Sequence, residues 1–215
     1  MYFSIFVENA FTMIPVSLLE HHKARLVTVR KDQSVIDEGE PAQDFLQVAE
    51  GQIKMYIMNP DGQEFMQGVF SSGESFGEPA LLGGFPYPSS AVAITDSKVW
   101  RLPKAEFLQL LKENFDLHLK LSQVLCKRLQ YKSMILTEVS SYDPEHRLTT
   151  LLQYFKSKEQ RLKQSIPDVR SKIIIPFTRQ QLADMTGLRV ETVIRTVKKM
   201  EKEGKLSLEG HKISI

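Results

Sequence analysis

Five side chains on one helical face set out the chemistry open to this sequence. Within Thr178–Met200 (TRQQLADMTGLRVETVIRTVKKM), Val193, Val197 and Met200 recur at i, i+4 and i+7 and so share an inward face. Val190, Glu191, Ile194, Arg195 and Lys198 then share the opposite face. A carboxylate, a guanidinium and an ammonium on one exposed helix face can hydrogen-bond base edges and phosphates, and an α-helix fits the major groove of duplex DNA. Thr178, followed three positions later by Gln181, predicts a capping box that starts a preceding helix carrying Leu182 and Met185 inward. Gly187 falls where a tight turn between two helices requires positive φ. Beyond Gly204, Leu206–Leu208 and Lys212–Ile215 read as a hairpin around Glu209-Gly210-His211. Helix, turn, helix and terminal hairpin together predict a winged helix-turn-helix that presents its second helix to DNA.

The charge distribution agrees. The net charge of +2 over 215 residues divides into +7 for Pro144–Ile215 (15 Lys/Arg against 8 Asp/Glu) and −5 for residues 1–143 (13 against 18). A basic part joined to an acidic part fits a C-terminal region that meets a polyanion; chance asymmetry of solvated faces is the other reading. A 42% apolar and 25% charged composition is that of an ordinary globular chain, with no run of apolar residues long enough for a membrane span. The opening MYFSIFVENAFTMIPV lacks a basic leader and is broken by Glu8 and Pro15, so it is not read as a signal peptide. The single cysteine, Cys126, excludes an intrachain disulfide and an iron–sulfur cluster built from one chain, and points to a reducing cytoplasm. No GxSxG, P-loop or HExxH motif occurs, and Glu74 and Glu78 have no evident partner base, so no enzymatic site is expected.

Upstream, short apolar runs at Leu26–Val29, Phe45–Val48, Ile53–Met58, Glu64–Val69, Ser90–Ile94 and Val99–Leu102 alternate with Gly/Pro/Asp turns, among them the hairpin signal Pro60-Asp61-Gly62. They predict a small antiparallel barrel or sandwich. After Pro103 the period becomes helical: a short helix over Lys104–Glu113, then one long helix over Phe115–Val139 without Gly or Pro. Leu117, Leu121, Val124, Leu125, Tyr131, Ile135 and Val139 form one stripe, and Leu119, Leu129, Met134 and Leu136 lie off it. A helix apolar on two sides packs on its own barrel and on something else, and two readings of it stand: an apolar stripe forms a seam that faces a second copy of the chain, or the helix is buried in one larger core. Arg128 on or near the stripe would weaken a seam unless paired. Cys126, among apolar neighbours, reads as an inert core residue. Asp143 caps a further helix beginning at Pro144, with Leu148, Leu151, Leu152 and Phe155 inward, and Ser140–Pro144 reads as a hinge. Lys172–Pro176 reads as a short β run.

On these residues the chain resembles the cyclic-AMP receptor protein/FNR family of bacterial transcription regulators. TRQQLADMTGLRVETVIRTVKKMEKEGKL is similar to the family's winged helix-turn-helix, and LCKRLQYKSMIL to its dimerisation helix. Gly39-Glu-Pro-Ala42, Gly51, Asp61-Gly62 and Ser75-Phe-Gly-Glu-Pro-Ala-Leu81 are similar to its β-roll and phosphate-binding cassette. The likeness runs from about residue 24 to the end. It implies an α+β fold: an antiparallel β-roll sensing domain over 1–114, a long dimerisation helix over 115–140 and a winged helix-turn-helix over 141–215.

The resemblance assigns roles. Glu191 and Arg195 match the family pair that reads each half-site core, of a TGA-like sequence, by accepting from a cytosine amino group and gripping a guanine. Thr192 lies between them in the same interface. Val190 stands where the cyclic-AMP receptor branch has a second arginine and is closer to the FNR branch. Ile194 touches a thymine methyl or packs as an outer residue. Arg179, Gln180, Lys198 and Lys199 are implied phosphate contacts, while Lys202 and Lys205 read as solvated. The implied partners are a near-palindromic duplex, a second copy of the chain and RNA polymerase.

For the effector the resemblance implies a pocket at Gly77, Glu78, Pro79, Ala80, Ser89 and Ser90, completed by Lys132 and Ser133. The family's cyclic-nucleotide sensors carry an arginine where this chain has Pro88, and an adenine-facing Thr-Ser pair where it has Lys132-Ser133. Proline offers neither charge nor N–H donor, so cyclic AMP is not the expected effector. The cofactor is left unknown: another small molecule, or none. His21, His22, His118 and His146 read as ordinary residues rather than haem ligands. The implied mechanism is an effector that shifts the roll against the dimer helices, with the hinge re-aiming the recognition helices. Two alternatives stand beside it: a small-molecule-binding module whose helical tail contacts protein, and a regulator active without any ligand.

Overall fold

Side-chain alternation along Asp44–Glu50 sets the plan of the N-terminal half. Leu46 and Val48 point into one core, Phe45 into another, and Gln47 holds the backbone of Ile14 with its amide (Ile14 N to Oε1 2.8 Å, Nε2 to Ile14 O 3.0 Å). A strand apolar on both sides must be covered on both sides, and here one side is covered by a second sheet and the other by helices. The computed structural model describes residues 12–58, 62, 64–141, 143–162, 173–210 and 212–215. The chain divides into two compact units, one ending at Arg128 and the other running from Leu129 to Ile215.

In the first unit, helix α1 (Val16–His21) leads into strands β1 (Arg25–Val29), β2 (Ser34–Ile36), β3 (Asp44–Glu50), β4 (Gln52–Met58), β5 (Glu64–Ser71) and β6 (Ser75–Phe76). Helix α2 (Glu78–Gly83), strands β7 (Ser90–Ala93) and β8 (Ser97–Pro103), helix α3 (Lys104–Glu113) and the part of helix α4 (Phe115–Ser141) up to Arg128 follow. Two four-stranded antiparallel sheets, ordered β1-β8-β3-β6 and β2-β7-β4-β5, enclose Val29, Ile36, Leu46, Ile53, Phe70, Phe76 and Ala91. The six strands expected from sequence are present; β2, β6, α1 and α2 are additions too short to leave a periodic signal. Residues 59–61 of the expected Pro-Asp-Gly hairpin lie outside the described residues, but β4 and β5 pair antiparallel around it and Gly62 has φ +76°. The second core lies on the outer side of β3 and β8. Met13, Leu19, Phe107, Leu110 and Leu121 pack there on Phe45 and Leu102, with the Phe45 and Phe107 rings stacked at 4.4 Å.

The two apolar faces of α4 are covered unequally. Leu121 and Tyr131 are buried, and Leu117, Val124 and Leu125 pack on the second core, so this stripe faces inward over that length. The set off that stripe is the exposed one: Phe115 is 73% exposed, Leu119 46%, Leu129 66% and Leu136 71%. Cys126 is exposed as well, contrary to the core position expected for it. A 3.6-residue period locates two faces but does not say which one the protein's own sheets cover. The side chain of Val139 lies outside the described residues.

The second unit continues with α5 (Pro144–Leu162), β9 (Ile174–Ile175), α6 (Arg179–Thr186), α7 (Val190–Lys202), β10 (Ser207–Glu209) and β11 (Lys212–Ser214). Asp143 caps α5 as the sequence indicated, its Oδ1 accepting from Glu145 N (2.8 Å) and His146 N (3.1 Å). Leu148, Leu151, Leu152 and Phe155 form the inward face of α5, and Phe155 meets Phe177 at 4.6 Å. A small antiparallel sheet, β10-β11-β9, closes the unit; Lys172, the first residue of the expected β run, lies outside the described residues.

Candidate functional site

Local chemistry fixes the angle at which α7 is offered. The Oγ1 of Thr178 accepts from Gln181 N (3.1 Å) while Gln181 Oε1 accepts from Thr178 N (2.8 Å), the reciprocal capping box. At the far end of α6, Gly187 adopts φ +66°, a left-handed cap that any Cβ would strain. The chain therefore turns sharply into α7. Val193, Thr196, Val197 and Met200 are buried beneath it, so helix phase alone directs Glu191, Arg195 and Lys198 into solvent. Ile194, 39% exposed, is an outward residue rather than part of the core, and Val190 and Thr192 sit half-buried at the margin. Among the described residues no ion pair engages Glu191, Arg195 or Lys198.

The surrounding basic residues are not alike. Lys199 donates to Glu145 Oε2 (2.7 Å) and lies 3.8 Å from Glu203; Lys205 bonds Glu145 Oε1 and reaches Glu203 at 2.6 Å. The expected phosphate ligand Lys199 thus has its charge answered within the fold, and Lys205 is paired rather than simply solvated. Hydrogen bonds from Lys199, then Lys205, hold the Glu145 carboxyl down at about 2, from 4.5. A depressed carboxylate contributes above its unfolded pKa and loses that contribution as pH falls from about 4.5 toward 2. Glu145→Gln is therefore expected to be less stable than wild type at pH 7. That gap should narrow only below pH 4.5, as read from urea midpoints across pH; a gap independent of pH would remove the ion pair as its cause. Gln180 Nε2 is held by the buried Asp184 (2.8 Å), and Arg179 is half-buried with Nη1 enclosed and without a partner among the described residues. Arg189, exposed at the N-cap of α7, was not singled out from sequence. Its position before the first helical residue of α7 was the available signal.

In the first unit, Gly77 begins α2 with φ +77°, which directs Glu78 into the roll, where its side chain is fully buried. Ala80 and Ser89 are buried too, Ser90 Oγ accepts from Glu38 N (3.1 Å), and Pro79 and Pro88 are exposed. The residue that meets Glu78 is Arg128 of α4. Its Nη1 lies 2.9 and 3.1 Å from the two carboxylate oxygens, and its Nη2 donates to Ser75 O at 2.7 Å. The guanidinium also sits 5.1 Å from the centroid of the Phe70 ring. The arginine that looked like a defect in an apolar stripe is a buried partner for an otherwise uncompensated carboxylate. Lys132 and Ser133 are exposed positions of α4. No group of three or more His, Cys, Asp or Glu able to hold a metal ion occurs among the described residues.

Comparison with known proteins places both halves. Residues 26–114 match the family model of the cyclic nucleotide-binding domain, and residues 146–215 that of the Crp-like helix-turn-helix domain. The chain belongs to the CRP/FNR family of transcription regulators. It is 28% identical over 184 residues to the cAMP-activated global transcriptional regulator CRP of Pasteurella multocida, covering 85% of each chain. To the nitrogen fixation regulation protein FixK of Bradyrhizobium diazoefficiens it is 25% identical over 195 residues, 90% of this chain and 79% of that one. In fold it is similar to a mutant of CooA from Carboxydothermus hydrogenoformans (TM-score 0.77, 16% identity, 98% and 93% of the chains covered) and to CprK complexed with OCPA (0.74, 18%, 95% and 91%). As a CRP/FNR-type regulator it combines an effector-binding domain with a helix-turn-helix DNA-binding domain in an α+β architecture. No described helix is long and apolar enough to cross a membrane.

Proposed function

We propose that this CRP/FNR-family chain acts as a cytoplasmic homodimer, without enzymatic activity, that grips a near-palindromic duplex through two copies of α7. The observation that carries this reading is the split of α7 into a buried face and an outer face on which Glu191, Ile194, Arg195 and Lys198 stand exposed. Arg195 grips a guanine, Glu191 accepts from a cytosine amino group and Ile194 meets a thymine methyl. Arg179, Arg189 and Lys198 hold phosphates. Lys199, engaged by Glu145, supports the fold more than the duplex. Half-sites about one helical turn apart, roughly 34 Å, suit such a dimer, and contact with RNA polymerase is implied by the family.

Selection of bound duplexes from a random pool tests the reading. Arg195→Ala is expected to lose about 1–3 kcal/mol of discrimination at one base pair and relax preference there. Lys198→Ala is expected to weaken all sequences alike and to lower the salt slope by about 0.9 for the one phosphate lost. Unchanged sequence preference in Arg195→Ala would reject the assignment, and no salt-dependent duplex binding at all would favour a protein-contacting tail.

A further inference from the structure

Two neighbouring lysines of α7 meet different fates, and one carboxylate at the start of α5 makes the difference. Residues four apart on an α-helix share a face, so Glu191, Arg195 and Lys199 follow one another along one edge of α7. Lys199 lines the same groove as Glu191, Ile194, Arg195 and Lys198, and its side chain is 62% exposed. By position it is as open to a backbone phosphate as Lys198. Its ammonium, however, donates to Glu145 Oε2 at 2.7 Å, whereas no ion pair engages Lys198 among the described residues.

Glu145 is fixed at that corner by its own helix. Its backbone N–H and that of His146 donate to Asp143 Oδ1, so two carboxylates stand at the first turn of α5. The second carboxylate oxygen of Glu145 accepts from Lys205, which also lies 2.6 Å from Glu203. Lys199 is 3.8 Å from Glu203, beyond hydrogen-bonding distance. Removing the Glu145 charge would therefore leave Lys205 answered by Glu203 and Lys199 released. The lysine hydrogen bonds hold the Glu145 carboxyl down at about 2, so it stays ionised at any pH where protein and duplex are both intact.

We infer that Glu145 limits the affinity of this chain for DNA: it takes the ammonium of Lys199 in place of a backbone phosphate, so that a lysine aligned with the recognition residues adds almost nothing to duplex binding. The inference rests on the reading of α7 given above and adds a residue of α5 that opposes it. Two lysines and two glutamates, Lys199, Lys205, Glu145 and Glu203, leave the corner neutral. An exposed ion pair gains little over water, but a phosphate is a rival anion. Seating it on Lys199 sets two anions side by side, and what the lysine gains from one is offset by their repulsion. Counterions are released from DNA only where net positive charge arrives, so the masked lysine is missing from the salt dependence as well as from the affinity. Base contacts are untouched, and the effect falls on all sequences alike.

The test titrates the full chain onto the selected duplex and onto an unrelated one, over about 50–200 mM salt. Glu145→Gln is expected to tighten both by about 3–10-fold for each recognition helix engaged and to steepen the salt slope by about 0.9 per helix, with the preferred sequence unchanged. The same variant is expected to be less stable, and tighter binding by a weaker fold is a result that a merely structural ion pair would not give. Lys199→Gln should cost less than about threefold in the wild-type background and about 10–100-fold, for a duplex held by two helices, in the Glu145→Gln background. Melts establish that each variant is folded at the titration temperature. Should Glu145→Gln not fold, Lys199→Gln in the wild-type background decides alone, and a loss of about tenfold or more there overturns the inference. A folded Glu145→Gln that binds no tighter overturns it too. So does a Lys199→Gln cost equal in both backgrounds, since Glu145 would then act on the duplex only through its own charge. A wild type without salt-dependent duplex binding refutes the reading of α7 itself and takes this inference with it.

Discussion

Arg128→Met is expected to lower the thermal midpoint of the protein by roughly 6–20 °C, the equivalent of about 3–5 kcal/mol for a domain of this size. The substitution keeps much of the aliphatic stem but leaves the Glu78 carboxylate fully buried with no cation. Ser75 O loses its 2.7 Å donor at the same time. A buried charge without a partner is among the few single changes that cost this much, because the carboxylate must be neutralised, reach water or unfold its surroundings. Removing both charges together, Glu78→Gln with Arg128→Met, is expected to recover most of the loss, since a neutral polar group and a thioether fill the space without an ion to solvate. Calorimetric or circular dichroism melts at pH 7 decide it. A single variant that melts within about 2 °C of wild type would mean that water reaches the pair, against its observed burial.

Loss of dimerisation, and with it most of the DNA affinity, is the expected result of Leu129→Glu with Leu136→Glu. Leu129 and Leu136 are seven residues apart and 66% and 71% exposed, in line with exposed Phe115, Leu119 and Cys126 on the same helix. Apolar residues at such spacing along a helix face make a seam for an identical helix, and two like charges introduced there oppose each other across it. Because one half-site contact is weak and two joined contacts gain about 10²–10⁴ in avidity, the monomer should bind the full site that much less tightly. The fold of each unit should be untouched, as both side chains already face solvent. Sedimentation and duplex titration on the same sample read the two effects. A variant that still sediments as a dimer would move the seam elsewhere.

How far the sequence reached depends on the range of the interactions involved. The helix-turn-helix was legible because its determinants are local: Thr178 and Gln181 cap each other three residues apart, Gly187 alone tolerates the left-handed turn, and the spacing of Val193, Val197 and Met200 decides where Glu191 and Arg195 point. The long strands were legible for the same reason, alternation and turn residues being properties of neighbours. β2 and β6 were not, because two or three residues carry no period and pair only where a remote strand offers an edge.

What no local pattern could decide was which partner each charge and each face would meet. Two apolar stripes on α4 are equivalent in sequence, and only the packing of Leu121 on the second core turns one inward and leaves Leu129 and Leu136 outside. Lys199 and Lys198 are adjacent and chemically identical, yet Glu145, 54 positions away, engages only the first. Arg128 and Glu78 lie 50 residues apart, on elements of different type. Their union follows from burial: the fold removes both from water, and in a medium that no longer screens them each is tolerable only beside the other.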